Sequence, residues 1–110
     1  MGTNDVCARF GLTPDPPGPG SIVGVADNAL AGEKPLNGLR HLSVGNTTGW
    51  YIWSGDLSDV DDFFKPFHIE HIAEAVPDVV PYLSLPAGWR FLLAHGYEDV
   101  WEDSSLLNPL

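Results

Sequence analysis

His68 and His71 stand three residues apart, with Glu70 and Glu74 beside them. Histidine nitrogens and carboxylate oxygens on one helix can hold zinc. The angular placement works against it here. At about 100° per residue, with His68 taken as zero, the apolar residues of this segment centre near ~90° and His71 lies near ~300°. His68 then falls at the boundary of the buried face, and His71 with Glu74 points to solvent or to a partner. The H-E-x-x-H spacing of zinc peptidases is absent, so no metal site is expected.

Two acidic clusters raise the same question. Asp56, Asp59, Asp61 and Asp62 form one; Glu98, Asp99, Glu102 and Asp103 form the other. The first lacks the spaced ligands, central glycine and closing glutamate of a calcium loop. Paired carboxylates can serve as acid and nucleophile in glycoside hydrolysis, but a chain this short, with one helix and a small sheet, leaves little room for a catalytic cleft. No G-x-S-x-G, phosphate-binding glycine loop or dinucleotide fingerprint is present. Cys7, the lone cysteine, lies in a loosely patterned N-terminal segment and reads as a silent thiol rather than a nucleophile. The chain is therefore read as a non-enzyme without a cofactor.

Recognition is the chemistry that remains. The stretch from Gly49 to Leu110 holds 11 of the 12 aromatic residues and 11 of the 15 acids, against only Lys65 and Arg90 as bases. A core needs some of those rings, but charge this one-sided opposes compaction by self-repulsion. Trp53, Tyr97 and Trp101 sit beside carboxylates. An exposed ring flanked by acids suits an arginine or lysine, through cation–π contact and ion pairing. Packing in the core or on a sheet face is the plainer role for the same rings. It is the expected one for Trp50 and Trp89, each of which follows a glycine at a strand start. Arg90 is expected to pair with a nearby strand acid. The candidate partner-binding set is thus Trp53, Asp56, Asp59, Asp61, Asp62, Tyr97, Glu98, Asp99, Trp101, Glu102 and Asp103.

Local patterns set the scaffold on which these residues stand. Residues 1–20 read as a flexible arm, because Thr13 to Gly20 carries four prolines and cannot form regular helix or central strand. Ser21 to Ala26 reads as a strand, Asp27 to Asn37 as a loop, and Leu39 to Val44 as a second strand. A turn cluster, Gly45 to Gly49, leads into Trp50 to Ser54, an aromatic and β-branched strand. Trp50 and Ile52 should face one way, Tyr51 and Trp53 the other. Pro66 suits the first position of a helix, and Ile69, Ile72, Ala73 and Val76 fall on one helical face. Trp89 to Ala94, His95-Gly96 and Tyr97 to Asp103 read as a hairpin. In its second strand Tyr97, Asp99 and Trp101 share a face, and Glu98, Val100 and Glu102 the other. The tail from Ser104 is expected to fray. The order predicts an α+β fold: a single domain over 21–107 with a small antiparallel sheet and one main helix packed on one face.

Bulk properties bound the reading. The 110 residues carry a net charge of −10 and a pI near 4.4. That is one ordinary domain, able to bury a core unaided. Such acidity opposes phosphate backbones and anionic bilayers, so neither nucleic acid nor a membrane is expected as partner. The single cysteine excludes an internal disulfide and fits a reducing cytosol. No secretory signal and no stretch near the ~20 apolar residues of a membrane span is seen, so the expected location is cytoplasmic. An edge strand or aromatic patch would also suit a homodimer.

Four blocks carry a family likeness: Asn37 to His41 (NGLRH), Gly49 to Asp56 (GWYIWSGD), Asp62 to Ile72 (DFFKPFHIEHI) and Tyr82 to Asp103 (YLSLPAGWRFLLAHGYEDVWED). In these, and over residues 21–107, the chain resembles immunity protein family 33. The resemblance implies an antidote of a bacterial polymorphic toxin system, whose partner is a cognate protein toxin and which has no catalytic residues. The Pro-rich stretch at 13–20 departs from that pattern. Charge leads the same way: nuclease toxins are often basic because their substrate is polyanionic, and an acidic inhibitor can steer to them and cap them. On this reading the candidate set above forms the toxin-facing surface. The alternatives are a small metal- or ligand-binding domain using His68, His71 and nearby carboxylates, or a regulatory interaction module.

Overall fold

The computed structural model describes residues 4–58, 60 and 62–107. Alternation of small or β-branched residues makes Ile22–Ala26 (β1) a strand, with Val23 and Val25 fully buried. Leu36–Arg40 (β2), Thr47–Ser54 (β3), Phe64–His68 (β4), Trp89–Ala94 (β5) and Tyr97–Glu102 (β6) complete one six-stranded sheet, ordered β4-β1-β3-β2-β5-β6. Every neighbouring pair is antiparallel except β1 and β3, which run parallel. The expected antiparallel sheet is therefore mixed at one seam. Strand β3 turns back beside β2 and inserts between β2 and β1, which leaves β1 and β3 pointing the same way.

The helices are short: Asn4–Arg9 (α1), Asp27–Leu30 (α2) and Ile69–Ala75 (α3), with 3-10 turns at Pro77–Tyr82 and Ser104–Leu107. The α-helices and the first 3-10 turn send Val6, Cys7, Ala29, Ile72, Val76, Val79 and Tyr82 into one core with Val23, Trp50, Ile52 and Phe91. The architecture is α+β, but several short segments take the place of one main helix. Strand β2 has Gly38 where a Cβ would run into the Phe91 ring of β5. That missing atom lets the largest rings of this face, Trp50 and Phe91, pack with centroids 5.5 Å apart.

Several local expectations change. Pro66 lies in β4 opposite Gly24, not at a helix start. A residue without an N–H is as harmless on an edge strand as at the first turn of a helix. Helix α3 begins three residues later, and its buried side is Ile72 and Val76; Ala73 is exposed. The segment expected to be a flexible arm carries α1, whose Val6 and Cys7 sit in the main core, with the Cys7 thiol against Ser84 O at 3.4 Å. Burial pushes that thiol's pKa up. The second strand ends at Arg40 rather than Val44. In the expected fraying tail, Leu106 is buried; residues 108–110 lie outside the described ones.

Arg40 explains how these loops hold together. The residue is 3% exposed. Its Nε donates to Thr48 O at 2.9 Å, and Nη1 to Asp15 O at 2.7 Å, Leu85 O at 2.7 Å and Leu83 O at 3.4 Å. The guanidinium also lies 5.8 Å from the Trp50 ring and 4.0 Å from an Asp15 carboxylate oxygen. Burial lowers its pKa, partly opposed by Asp15. One buried cation thus ties the Pro-rich segment, β3 and the 83–85 loop together through carbonyl acceptors.

Candidate functional site

All the α-helices lie on one side of the sheet. The strand alternation that fills that side turns Tyr51 and Trp53 of β3, Asn37 and Leu39 of β2, Arg90 and Leu92 of β5, and Tyr97, Asp99 and Trp101 of β6 to the other. The register sets them in rows. Trp53, Asn37, Leu92 and Asp99 stand side by side across the strands, and Tyr51, Leu39, Arg90 and Trp101 form the next row. Four of the predicted site residues, Trp53, Tyr97, Asp99 and Trp101, are thereby brought to one face. Strands β3 and β6 lie three inter-strand steps apart, about 14 Å.

A second, small core sits on this face: Ala26, Leu39, Trp53 and Leu106, with Phe63 and Phe64 against them. Trp53 belongs to it. It is 3% exposed, and its indole N–H donates to Gly55 O at 3.1 Å, so it is not the exposed ring expected. Trp101 is half-buried, with the Arg90 guanidinium 5.3 Å from its ring. Tyr97 is 56% exposed.

Beside the small core opens an apolar groove of about 560 Å³, whose walls include Leu42, Val44, Tyr51, Leu57, Phe64 and Leu106. Leu42, Val44 and Leu57 are 54%, 74% and 57% exposed. Lone apolar residues on a surface are ordinary, but a contiguous patch marks a binding surface. His41 lies in the groove, its ring 5.7 Å from Tyr51 edge to face and its Nδ1 3.2 Å from Leu106 O. Gly49 makes the turn at the rim: it has φ +87°, and a Cβ there would strike His41 O. Sequence reasoning missed Leu42 and Val44 because it placed both in a strand. The stop at Arg40, where the chain leaves the ladder, is what exposes them.

The acids divide by role. Glu98 accepts two hydrogen bonds from Arg9, at 2.8 and 3.0 Å, and one from the Tyr82 hydroxyl. Arg9 first and Tyr82 second hold its carboxyl below the ordinary glutamate value. Burial, then the hydrogen bond to Glu98, pushes the Tyr82 hydroxyl up. Asp103 accepts from the Ser105 hydroxyl at 2.6 Å and the Ser105 N–H at 3.1 Å, and pairs with Arg90 at 3.2 Å. Ser105 first, then Arg90, lowers its pKa. These two carboxylates therefore hold the fold's own elements. Asp56, Asp99 and Glu102 are exposed. Asp62, also exposed, has Lys65 at 3.9 Å. Asp59 and Asp61 lie outside the described residues. Asp56 directly precedes Leu57 and Asp62 stands two residues before Phe64, both of which line the groove, while Glu102 turns toward the helix-covered side.

The His68 and His71 rings pack edge to face, 6.0 Å apart. Glu70 accepts from the Gly20 N–H at 2.7 Å, which lowers its pKa. Among the described residues no three of His, Cys, Asp and Glu gather as a metal would require. No helix among them is long and apolar enough to cross a membrane.

A single α+β domain with one face of its sheet filled by helices and the other left open defines the class. The model of the Imm33-like domain matches residues 2–103, and the chain belongs to that family. The match includes the Pro-rich segment and α1 as well as the blocks that carried the resemblance. Comparison with curated proteins and with solved structures finds no match.

Proposed function

We propose that this protein is a non-catalytic immunity factor that binds a cognate bacterial toxin and neutralises it in the cytoplasm of the producing cell. The open apolar face carries the reading. A domain that can bury Trp50 and Phe91 almost completely leaves Leu42, Val44 and Leu57 out, which a partner's apolar surface would cover. Membership of the Imm33-like domain family supports the same reading. The net charge of −10 supports a basic toxin, such as a nuclease, whose active site is built for a polyanion. On this reading the groove supplies the desolvated centre of the interface. Asp56, Asp59, Asp61, Asp62 and Asp99, with Tyr97 and Trp101, supply the acids and rings that steer encounter.

The test is co-purification with the toxin domain encoded beside the gene, followed by calorimetry. A one-to-one complex, weakened by L42S/V44S/L57S and associating more slowly as salt rises, is expected. Charge reversal of the exposed acids without any change in association rate would sink the steering role. Failure to bind any neighbouring gene product would sink the immunity reading itself.

A further inference from the structure

The two edges of the sheet are not alike. Edge strand β4 contains Pro66, which has no N–H to offer. Edge strand β6 has no proline, and no strand pairs with its outer side among the described residues. The direction of its free groups is set by the hairpin. Asp103 N–H donates to Gly88 O at 2.6 Å. In an antiparallel ladder every second residue repeats that direction, so Trp101, Asp99 and Tyr97 turn their main-chain groups toward β5. Glu98, Val100 and Glu102 turn theirs outward.

We infer that the outer edge of β6 is a strand-addition site for an extended, lysine- or arginine-bearing segment of a partner protein. This rests on the reading that the protein works by binding a basic partner, and it adds the main-chain recognition that the groove lacks. Charge selects the occupant. An added strand would place its side chains beside Asp99 on the open face and beside Glu102 on the other, Glu98 being already held by Arg9 and Tyr82. Basic residues would meet carboxylates in both rows, with an apolar one beside Val100. A second copy of β6 paired antiparallel about Val100 would set Glu98 against Glu102 twice over, and like charges directly opposite destabilise a ladder. The edge is thus guarded against self-pairing and open to a cationic strand.

The experiment titrates the ¹⁵N-labelled full chain with a capped eight-residue peptide of alternating lysine and valine. A second peptide is N-methylated at alternate residues, so that it keeps its charge and loses main-chain donors. The first should shift the amides of Glu98, Val100 and Glu102 and slow their exchange. Glu102→Pro, which removes one outward N–H and one carboxylate without touching the β5 ladder, should bind the first peptide roughly tenfold more weakly, and the methylated peptide, which loses several donors, should bind wild type more weakly still. Equal binding by the methylated peptide, shifts centred elsewhere, or no binding would overturn the site. So would concentration-dependent protection of the three amides without peptide, which would assign the edge to a second copy. The two readings separate cleanly. A toxin captured equally by wild type and Glu102→Pro removes the edge and leaves the immunity function standing. Peptide pairing at β6 with no toxin captured does the reverse.

Discussion

On its helix-covered side the sheet buries Val23, Val25, Trp50, Ile52 and Phe91 almost completely, whereas Leu42, Val44 and Leu57 around its other side stand more than half exposed. The strands are shared by both sides; the connecting segments are not. Helices α1, α2 and α3 and the first 3-10 turn all fold onto one side, and among the described residues the other receives Leu106 and the flanking Phe63 and Phe64. Fully burying a leucine or valine side chain stabilises by about 1.5–3 kcal/mol. The open face forgoes that several times over, while the covered face is fitted down to a missing Cβ at Gly38. One face carries stability and the other is left available for contact.

The covered side is most vulnerable at Arg40. Its guanidinium donates to the carbonyls of Asp15, Thr48, Leu83 and Leu85, of which Thr48 O also accepts from Ser43 and Leu83 O from the Trp50 indole. Arg40→Met should leave Leu85 O and Asp15 O without that donor and weaken the bonding of the other two, at a cost of about 1–3 kcal/mol for each buried group left unsatisfied. Urea unfolding would measure it. Arg40→Lys should recover only part, because an ammonium cannot span the same fork of acceptors. A loss below about 1 kcal/mol would mean water replaces the guanidinium, and that the covered side is wetter than its packing implies.

Gly38→Ala comes next. The new methyl would meet the Phe91 ring, and overpacking of this kind costs about 1–3 kcal/mol. Phe91→Leu should destabilise wild type yet partly relieve the alanine, and a double-mutant cycle would return a coupling of opposite sign to a lost contact. Additive losses would show that Gly38 is required for its backbone and not for the ring.

A smaller effect is written in pH. The Glu98 carboxyl sits below its ordinary value of 4.5, first through Arg9 and then through Tyr82. A depressed folded value means that its contribution is present above pH 4.5 and is lost as pH falls through the folded value. The stability gap between wild type and Glu98→Gln should therefore be widest near neutrality and close under acid, with thermal melts at stepped pH as the measure. A gap independent of pH would show that the Arg9 and Tyr82 bonds act on α1 packing without the charge.

Much of this division is legible in the chain. Aromatic and β-branched runs mark β3 and the β5–β6 hairpin, and period-two alternation already separates Trp50 and Ile52 from Tyr51 and Trp53. Pro66 is ambiguous because both of its possible settings forgive a missing N–H; only its pairing with β1, more than 40 residues away, decides. Pro-rich composition at 13–20 excludes regular structure, not packing, and Arg40 shows the difference through its bond to Asp15. Nothing local announces that Arg40 will find acceptors at 15, 48, 83 and 85. Acid clustering likewise does not tell Glu98 and Asp103, engaged inside the fold, from Asp99 and Glu102, left facing solvent.

The smallest expected effect on stability tests the two faces most directly. L42S/V44S/L57S changes three large side chains that are already mostly in water, so unfolding free energy should move by no more than about 0.5 kcal/mol per site. Three comparable truncations on the covered side would unfold the domain. If the open face is the centre of an interface, the same variant should lose partner affinity by roughly tenfold or more, since hot-spot truncations each cost upwards of about 1–2 kcal/mol. Stability that falls along with affinity would mean that the groove closes over these side chains in solution and that the second core is larger than Trp53, Leu39 and Leu106. Affinity that holds while stability holds would shift recognition away from the groove and toward the β6 edge, where Glu102→Pro would then carry the larger loss.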